Sequence, residues 1–280
     1  MATTKDNHAL MVLCSTLDFK AKDDKSAVKP LTVAAYNKLE AAGFTPSVFL
    51  TEKLADISAS IGLSADEIAL IEKLLLRADK LGEELERLAE MKIYVAGRTQ
   101  ENYPAKLKKA MDKQSPIIFF FCGEMRLLDA ETVAIIGSRE ANEQEIEYAS
   151  KHAGISAQNN RVIVSGGAKG IDAIAKEAAL HAEGETITYV SDDMVGYIKK
   201  NVDFILWDRM LVLSAFHPEA AFKGYNALER NKYIYASSDY AVVVSSGDGT
   251  GGSFKGAADC LKNNYCLLYI KDDGQIPRRE

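Results

Sequence analysis

The sequence is short of cysteine and histidine, and neither is grouped. Cys14, Cys122, Cys260 and Cys266 are dispersed over 280 residues without a C-x-x-C pair. That argues against zinc-ligand spacing and against a disulfide framework, and it makes the reducing cytoplasm the expected compartment. His8, His152, His181 and His217 are equally scattered and read as surface or core residues. No apolar run approaches the ~20 residues of a membrane span. Met1 to Lys20 lacks a basic segment followed by an apolar one and a cleavage site, so no signal peptide is expected. Excess positive charge is missing too. The formal net charge of −6 argues against coating nucleic acid through bulk basicity, while allowing a focused basic pocket on an acidic body. There is no internal repeat or low-complexity tract.

What is present is ordinary for a globular chain, with 47% hydrophobic and 26% charged residues, enough for one large or two ordinary domains. Residues 1–91 read as a small helical domain. Asn7 to Thr16 is mostly apolar. Lys20 to Lys29 is a charged, turn-prone loop. Thr32 opens a helical pattern that Gly43 closes, and Ser64-Ala-Asp-Glu67 has capping-box spacing. Behind it Ile68, Ile71, Leu74, Leu75, Leu81, Leu85 and Leu88 recur at three- and four-residue steps, which predicts one long amphipathic helix with its weak point at Gly82. From residue 92 to 280 the pattern changes. After a short helix, Ala105 to Met111, come strand-like runs at Ile117–Phe121, Thr132–Ile136, Val162–Val164, Thr186–Val190, Leu211–Ala215, Tyr240–Val244 and Cys266–Ile270. Between them lie helical stretches at Glu143–Ala157, Ile171–Ala182, Ala227–Ala236 and Gly252–Asn263. Strands with little alternation, separated by helices, predict an α/β fold with a mostly parallel, Rossmann-like sheet covered by helices on both faces. The polar segment from Lys271 to Glu280 reads as a tail.

Three glycine-bearing turns follow expected strands: Gly137-Ser138-Arg139, the stretch Ser165-Gly166-Gly167-Ala168-Lys169-Gly170-Ile171-Asp172, and Ser245 to Ser253. In open α/β sheets ligands bind at the carboxyl ends of the strands, so all three can meet there. Singly they have plain readings: an N-cap, a tight strand-to-helix connection, a loose loop. Together they place backbone N–H groups, helix N-termini, Arg139 and Lys169 around one point suited to phosphate. The dinucleotide fingerprint G-x-G-x-x-G is absent at the first turn, and Gly247 to Gly252 is followed by Ser253 where a P-loop needs Lys. NAD and ATP chemistry are therefore unsupported, and no cofactor or metal is expected. No nucleophile–base arrangement is evident.

Asn102-Tyr-Pro104, Val133 to Arg139, Ser165 to Asp172, Glu229-Arg-Asn-Lys-Tyr-Ile234 and Val242-Val-Val-Ser245 before the late glycine loop occur in that order. This series resembles the DNA-processing protein A family (DprA, or Smf) over roughly residues 92–263. The resemblance implies a non-enzymatic protein that binds single-stranded DNA in DNA processing or recombination. It also implies a homodimer and a role in loading the recombinase RecA during natural transformation. It assigns DNA or phosphate binding to Gly137, Ser138, Arg139, Ser165, Gly166, Gly167, Lys169, Gly170, Arg230, Asn231, Gly251 and Ser253. Phe216, Tyr225 and Phe254 are candidates for stacking on bases. Lys169 stands where the family usually has Arg, Ala175-Lys176 near its usual His, and Ser214-Ala215-Phe216 where it has Ser-Glu. The chain reaches Glu280 soon after the last expected strand, so the family's frequent C-terminal winged-helix-like domain is expected to be absent. These departures mark a divergent member. They leave room for a DNA- or nucleotide-sensing partner or antitoxin in a phage-defence operon, and for a nucleotide-binding sensor or hydrolase of Rossmann-like fold. Hydrolysis is disfavoured because Gly249-Thr-Gly-Gly-Ser253 is followed by Lys255 and Asp259 and lacks the glutamate such hydrolases carry.

Overall fold

A computed structural model describes residues 5–16, 28–52, 54–245 and 251–271. Most of the Lys20–Lys29 loop, the middle of the late glycine turn (246–250) and the tail beyond Lys271 lie outside the described residues. The chain divides into two compact units, Met1–Tyr103 with Lys113–Phe120, and Pro104–Asp112 with Phe121–Glu280.

The first unit holds α1 (Lys5–Cys14), α2 (Val33–Ala41), α3 (Val48–Thr51), α4 (Leu54–Ile61), α5 (Ala65–Leu75), α6 (Ala78–Glu90) and β1 (Tyr94–Gly97). Local chemistry sets its helix ends. The Thr32 hydroxyl accepts from the Ala35 amide, Gly43 leaves α2 at a φ of 81°, and Ser64 with Glu67 closes a reciprocal capping box. Leu13, Leu39, Phe49, Ile57, Ile71 and Leu74 form the buried core. The single long helix expected from the leucine periodicity is instead two helices, and the break falls at Leu76–Arg77, with Gly82 inside α6. Arg77 is buried and donates to the Val12 carbonyl at 2.7 Å and the Ser15 carbonyl at 2.9 Å. A side chain committed to the carbonyl end of α1 is a tertiary constraint, and hydrophobic spacing carries no trace of it.

β2 (Ile118–Gly123) passes in sequence from the first unit to the second. The second unit contains α7 (Ala105–Met111), β3 (Thr132–Ile136), α8 (Glu143–Gln158), β4 (Val162–Ser165), α9 (Ile171–His181), β5 (Thr186–Tyr189), α10 (Met194–Lys200), α11 (Val202–Leu206), β6 (Met210–Ser214), α12 (Gly224–Ala236), β7 (Tyr240–Val243), α13 (Gly252–Asn263) and β8 (Leu267–Ile270). The strands of this unit pair in parallel in the order β6-β5-β4-β3-β7-β8. Residues of β3, β4 and β6 are buried without alternation, the signature of a sheet covered on both faces. Val133, Ile135, Ile163 and Val242 meet Ala149, Ala153, Ala175 and Ala179, alanines whose small side chains let α8 and α9 lie close to the strands. Two short helices, α10 and α11, were not expected between β5 and β6. Asp193 starts the first of them from left-handed backbone (φ 37°, ψ 49°), its carboxylate accepting from the Gly196 amide.

Strand order locates the ligand crevice. From β3 the chain moves outward through β4, β5 and β6, then returns to the other side of β3 with β7 and β8. The carboxyl ends of β3 and β7 therefore flank the point where the winding reverses, where open α/β sheets bind ligands.

Candidate functional site

β3 delivers Gly137-Ser138-Arg139 to this crevice, β4 delivers Ser165 to Gly170, and β7 leads into Ser245, with Gly251 to Ser253 opening α13. The turns interlock. The Ser138 amide donates to the Ser245 hydroxyl (3.1 Å), the Ser253 hydroxyl donates to the Gly137 carbonyl (2.7 Å), and the Ile171 amide donates to the Ser138 carbonyl (3.2 Å). Asn231, on α12, donates to the Gly252 carbonyl at 3.3 Å. Gly170 stands at a φ of 77°, and a Cβ there would lie 2.3 Å from the Ser138 carbonyl oxygen. Only glycine lets the second turn approach the first this closely.

The interior of the second turn differs from the expectation of bare amides. Asp172, in the first turn of α9, accepts from the Gly166 amide at 3.0 Å, and its Oδ2 lies 3.7 Å from Nη1 of Arg230. The first anion held by this turn is thus the protein's own carboxylate, and the Ser138 amide is likewise occupied within the protein. Both members of the Asp172–Arg230 pair are almost wholly buried. Burial pushes the Asp172 carboxyl upward, against Arg230 and the amides of Gly166 and Ala168, which favour the anion. Burial pushes Arg230 downward, and Asp172 opposes it. The guanidinium is only partly satisfied: Nε and Nη1 of Arg230 make no hydrogen bond, and neither does the buried Ser165 hydroxyl. A buried cation with open donors is costly unless something polar meets it.

Two cavities adjoin this pair. One, of about 420 Å³, is walled by Gly137, Ser138, Arg139, Asn231 and Gly251 to Ser253. The other, of about 560 Å³, is walled by Gly166 to Lys169, Ser191 to Asp193, Tyr197 and Lys200. Arg139, Ala168, Phe222 and Arg230 line both. Of the residues expected to bind phosphate, Ser165 and Gly170 line neither cavity, and the other ten line one or both. Ser165 is buried, and Gly170 acts through turn geometry. Arg139 and Lys169 are exposed at the walls, as mobile cations should be.

The aromatic candidates need revision. Phe216 and Phe254 line neither cavity. Tyr225 is exposed next to Gly224, which lines the first, and the Lys223 ammonium lies 5.7 Å from its ring. Phe222, which the sequence reading passed over, is 57% exposed and lies in the wall shared by the two cavities. The Arg139 guanidinium sits 5.8 Å from its ring centroid. The segment between β6 and α12 holds two phenylalanines, Phe216 and Phe222, and nothing in the sequence says which of them faces the crevice. Asp192 and Asp193 were also passed over; they put carboxylates opposite the cations of the second cavity. Among the described residues no cluster of side chains has the makings of a metal site, and no helix is long and apolar enough to cross a membrane.

Known proteins are similar to this chain. DNA processing protein DprA of Streptococcus pneumoniae is 35% identical over 155 residues, 54% of this chain and 53% of that protein. The match thus spans about half the length of that relative. The crystal structure of DNA processing protein A from S. pneumoniae superposes with a TM-score of 0.65 at 24% identity, covering 88% of this chain and 89% of that one, a likeness of fold. The structure of DNA processing protein A from Helicobacter pylori, described for its single-stranded DNA binding mode, gives a TM-score of 0.53 at 27% identity over 67% of this chain and 82% of that one. The family model for DNA recombination-mediator protein A matches residues 94–277, which take in the crevice and every strand around it. With its interlocked turns and parallel sheet, the chain belongs to the DNA recombination-mediator protein A family.

Proposed function

We propose that this protein binds single-stranded DNA, holding backbone phosphates between Arg139, Lys169 and Arg230, and acts without catalysis in DNA processing or recombination. The observation that carries the reading is Arg230: a buried guanidinium on the wall of both cavities, paired with Asp172 at 3.7 Å but with Nε and Nη1 making no hydrogen bond. Arg139 and Lys169 add mobile charge beside it, an arrangement suited to anionic oxygens. Phe222 and Tyr225, exposed and each accompanied by a cation, are placed to stack on bases as the strand leaves the crevice. The single-stranded DNA binding of the H. pylori relative supports the same ligand class. Homodimerisation, a recombinase partner and action in the cytoplasm complete the proposal.

The test is fluorescence anisotropy with labelled oligo(dT). Arg139→Ala combined with Lys169→Ala, both at exposed positions, is expected to weaken binding at least tenfold, or about 1.4 kcal/mol. Unchanged affinity would sink the pocket assignment. A second reading, a free nucleotide as occupant, draws on the carboxylates of Asp192 and Asp193 in the larger cavity, which can accept from base N–H groups. Titrations with nucleoside monophosphates and double-stranded DNA, run in parallel, separate the two. Sustained release of free base from a monophosphate would overturn the non-catalytic claim.

A further inference from the structure

α13 ends in a reversal. Asn264 adopts left-handed backbone (φ 56°, ψ 44°), and the amides of Asn264 and Tyr265 both return to the Cys260 carbonyl. This type of helix end turns the chain back onto the helix it has just left. The residue it brings back is Cys266. Its sulfur lies 3.8 Å from that of Cys260, and the Cys260 sulfur is also 3.8 Å from the Cys266 carbonyl oxygen. Cys260 is buried, Cys266 is partly exposed, and both are free thiols. A disulfide needs an S–S distance of about 2.05 Å across a short Cα separation. Here the reversal at the end of α13 brings the two sulfurs to 3.8 Å, and closing the bond draws them together by about 1.8 Å.

We propose that Cys260 and Cys266 form a redox-reversible modification site that closes by exchange with a low-molecular-weight disulfide, RSSR. The more accessible thiol begins the exchange, against its hydrogen bond with Cys260 and its burial, both of which push the Cys266 thiol up. The Cys266 sulfur, having given up its proton, attacks one sulfur of RSSR; a Cys266–S–S–R bond forms, the R–S–S–R bond breaks, and RS⁻ leaves to take a proton. The Cys260 sulfur, deprotonated in turn, attacks Sγ of Cys266; the intramolecular S–S bond forms and the second RS⁻ leaves, again taking a proton. The cysteine pair gives up two electrons and two protons, and RSSR becomes two RSH. In a reducing milieu the pair stays open. Closed, it fastens the last turn of α13 to the start of β8. The other end of α13 carries Gly252 and Ser253 of the crevice wall, so the bond stiffens the helix on which that wall is mounted.

The experiment incubates the reduced, full-length protein with glutathione disulfide, then denatures it and counts thiols with a maleimide-polymer reagent. The count is expected to fall from four, the cysteines of the sequence, to the two contributed by Cys14 and Cys122, and dithiothreitol should restore it. Lys262 lies between the two cysteines, so tryptic digestion should give peptides 256–262 and 263–271 joined, lighter by two hydrogens than their sum. In Cys260→Ser the mixed disulfide should persist on Cys266, and Cys266→Ser should keep its three remaining thiols. The Tm of the oxidised protein should rise by a few degrees, because the bond restricts the unfolded chain. Four reactive thiols after exposure to oxidant would overturn the proposal, as would an unresolved glutathione adduct on the wild-type protein or a bond joining two chains.

Discussion

Gly166 is a residue with no space for a side chain. A Cβ there would lie 1.1 Å from Nη1 of Arg230 and 2.7 Å from Oδ2 of Asp172. Gly166→Ala must therefore expel the guanidinium from its place beside Asp172, leaving a buried carboxylate without its cation. The expected loss is about 1–3 kcal/mol of stability, seen as a lower Tm, together with weakened oligo(dT) binding. Gly82, inside α6, has nothing within 4 Å of its hypothetical Cβ. Gly82→Ala should stabilise the protein by roughly 0.5–1 kcal/mol through helix propensity alone, with DNA affinity unchanged. If Gly166→Ala leaves Tm unchanged or raises it, the role assigned to Gly166 fails. The glycines and cations that line the candidate crevice stand out in the sequence because motif order and residue type record them. The inward turn of Asp172 was not. It stands in the motif, but nothing in a string of residues says whether a carboxylate faces solvent or its own turn's amides.

At the scale of elements, one carboxylate fastens α7 to the starts of two strands. Asp239, just before β7, accepts from Lys106 of α7 (2.6 Å) and from the amide and hydroxyl of Thr132 at the head of β3 (2.7 and 3.0 Å). Partial burial pushes its carboxyl up, but the hydrogen bonds from Lys106 and Thr132 more than reverse this and hold it below the ordinary value. A carboxyl whose folded pKa lies below its unfolded one, about 3.9, adds stability above that pH and loses it as pH falls through the folded value. Asp239→Asn should therefore lower Tm at pH 7, and the gap to the parent should narrow as the pH drops below about 4. A gap that stays constant to pH 2.5 in thermal melts would show that the charge is irrelevant. The strands that make this joint were readable because they are mostly apolar, and α7, α8, α9 and α13 because their helical spacing is local; of these four only α8 carries a side-chain cap. α10 and α11 were missed because they are short and begin at a left-handed aspartate. The break between α5 and α6 was misplaced because Arg77 answers to α1, far off in sequence.

Across the whole molecule, charge and site pull in opposite directions. The net charge is −6, yet the crevice gathers Arg139, Lys169, Lys200 and Arg230 with Asp172, Asp192 and Asp193 among them. On the proposed reading a polyanion would be repelled by the body and held at one place, so that few phosphates would be neutralised. If Arg139, Lys169 and Arg230 each meet one phosphate, log K against log salt should fall with a slope of about −2, from ~0.7 per contact on a single strand. Between 50 and 200 mM NaCl the affinity for oligo(dT) should then drop by roughly 10–20-fold. A protein that binds through a broad basic face would lose several decades over that range. Removing Arg139 and Lys169 should flatten the slope to about −0.7, the share of Arg230 alone. A parent slope steeper than about −5 would mean that binding involves cations beyond the crevice. An unchanged slope in the double variant would mean that these two side chains meet no phosphate. With the slope near −2 and flattened in the variant, the acidic body becomes part of the function: it confines a flexible anionic strand to the single crevice where the parallel sheet reverses its winding.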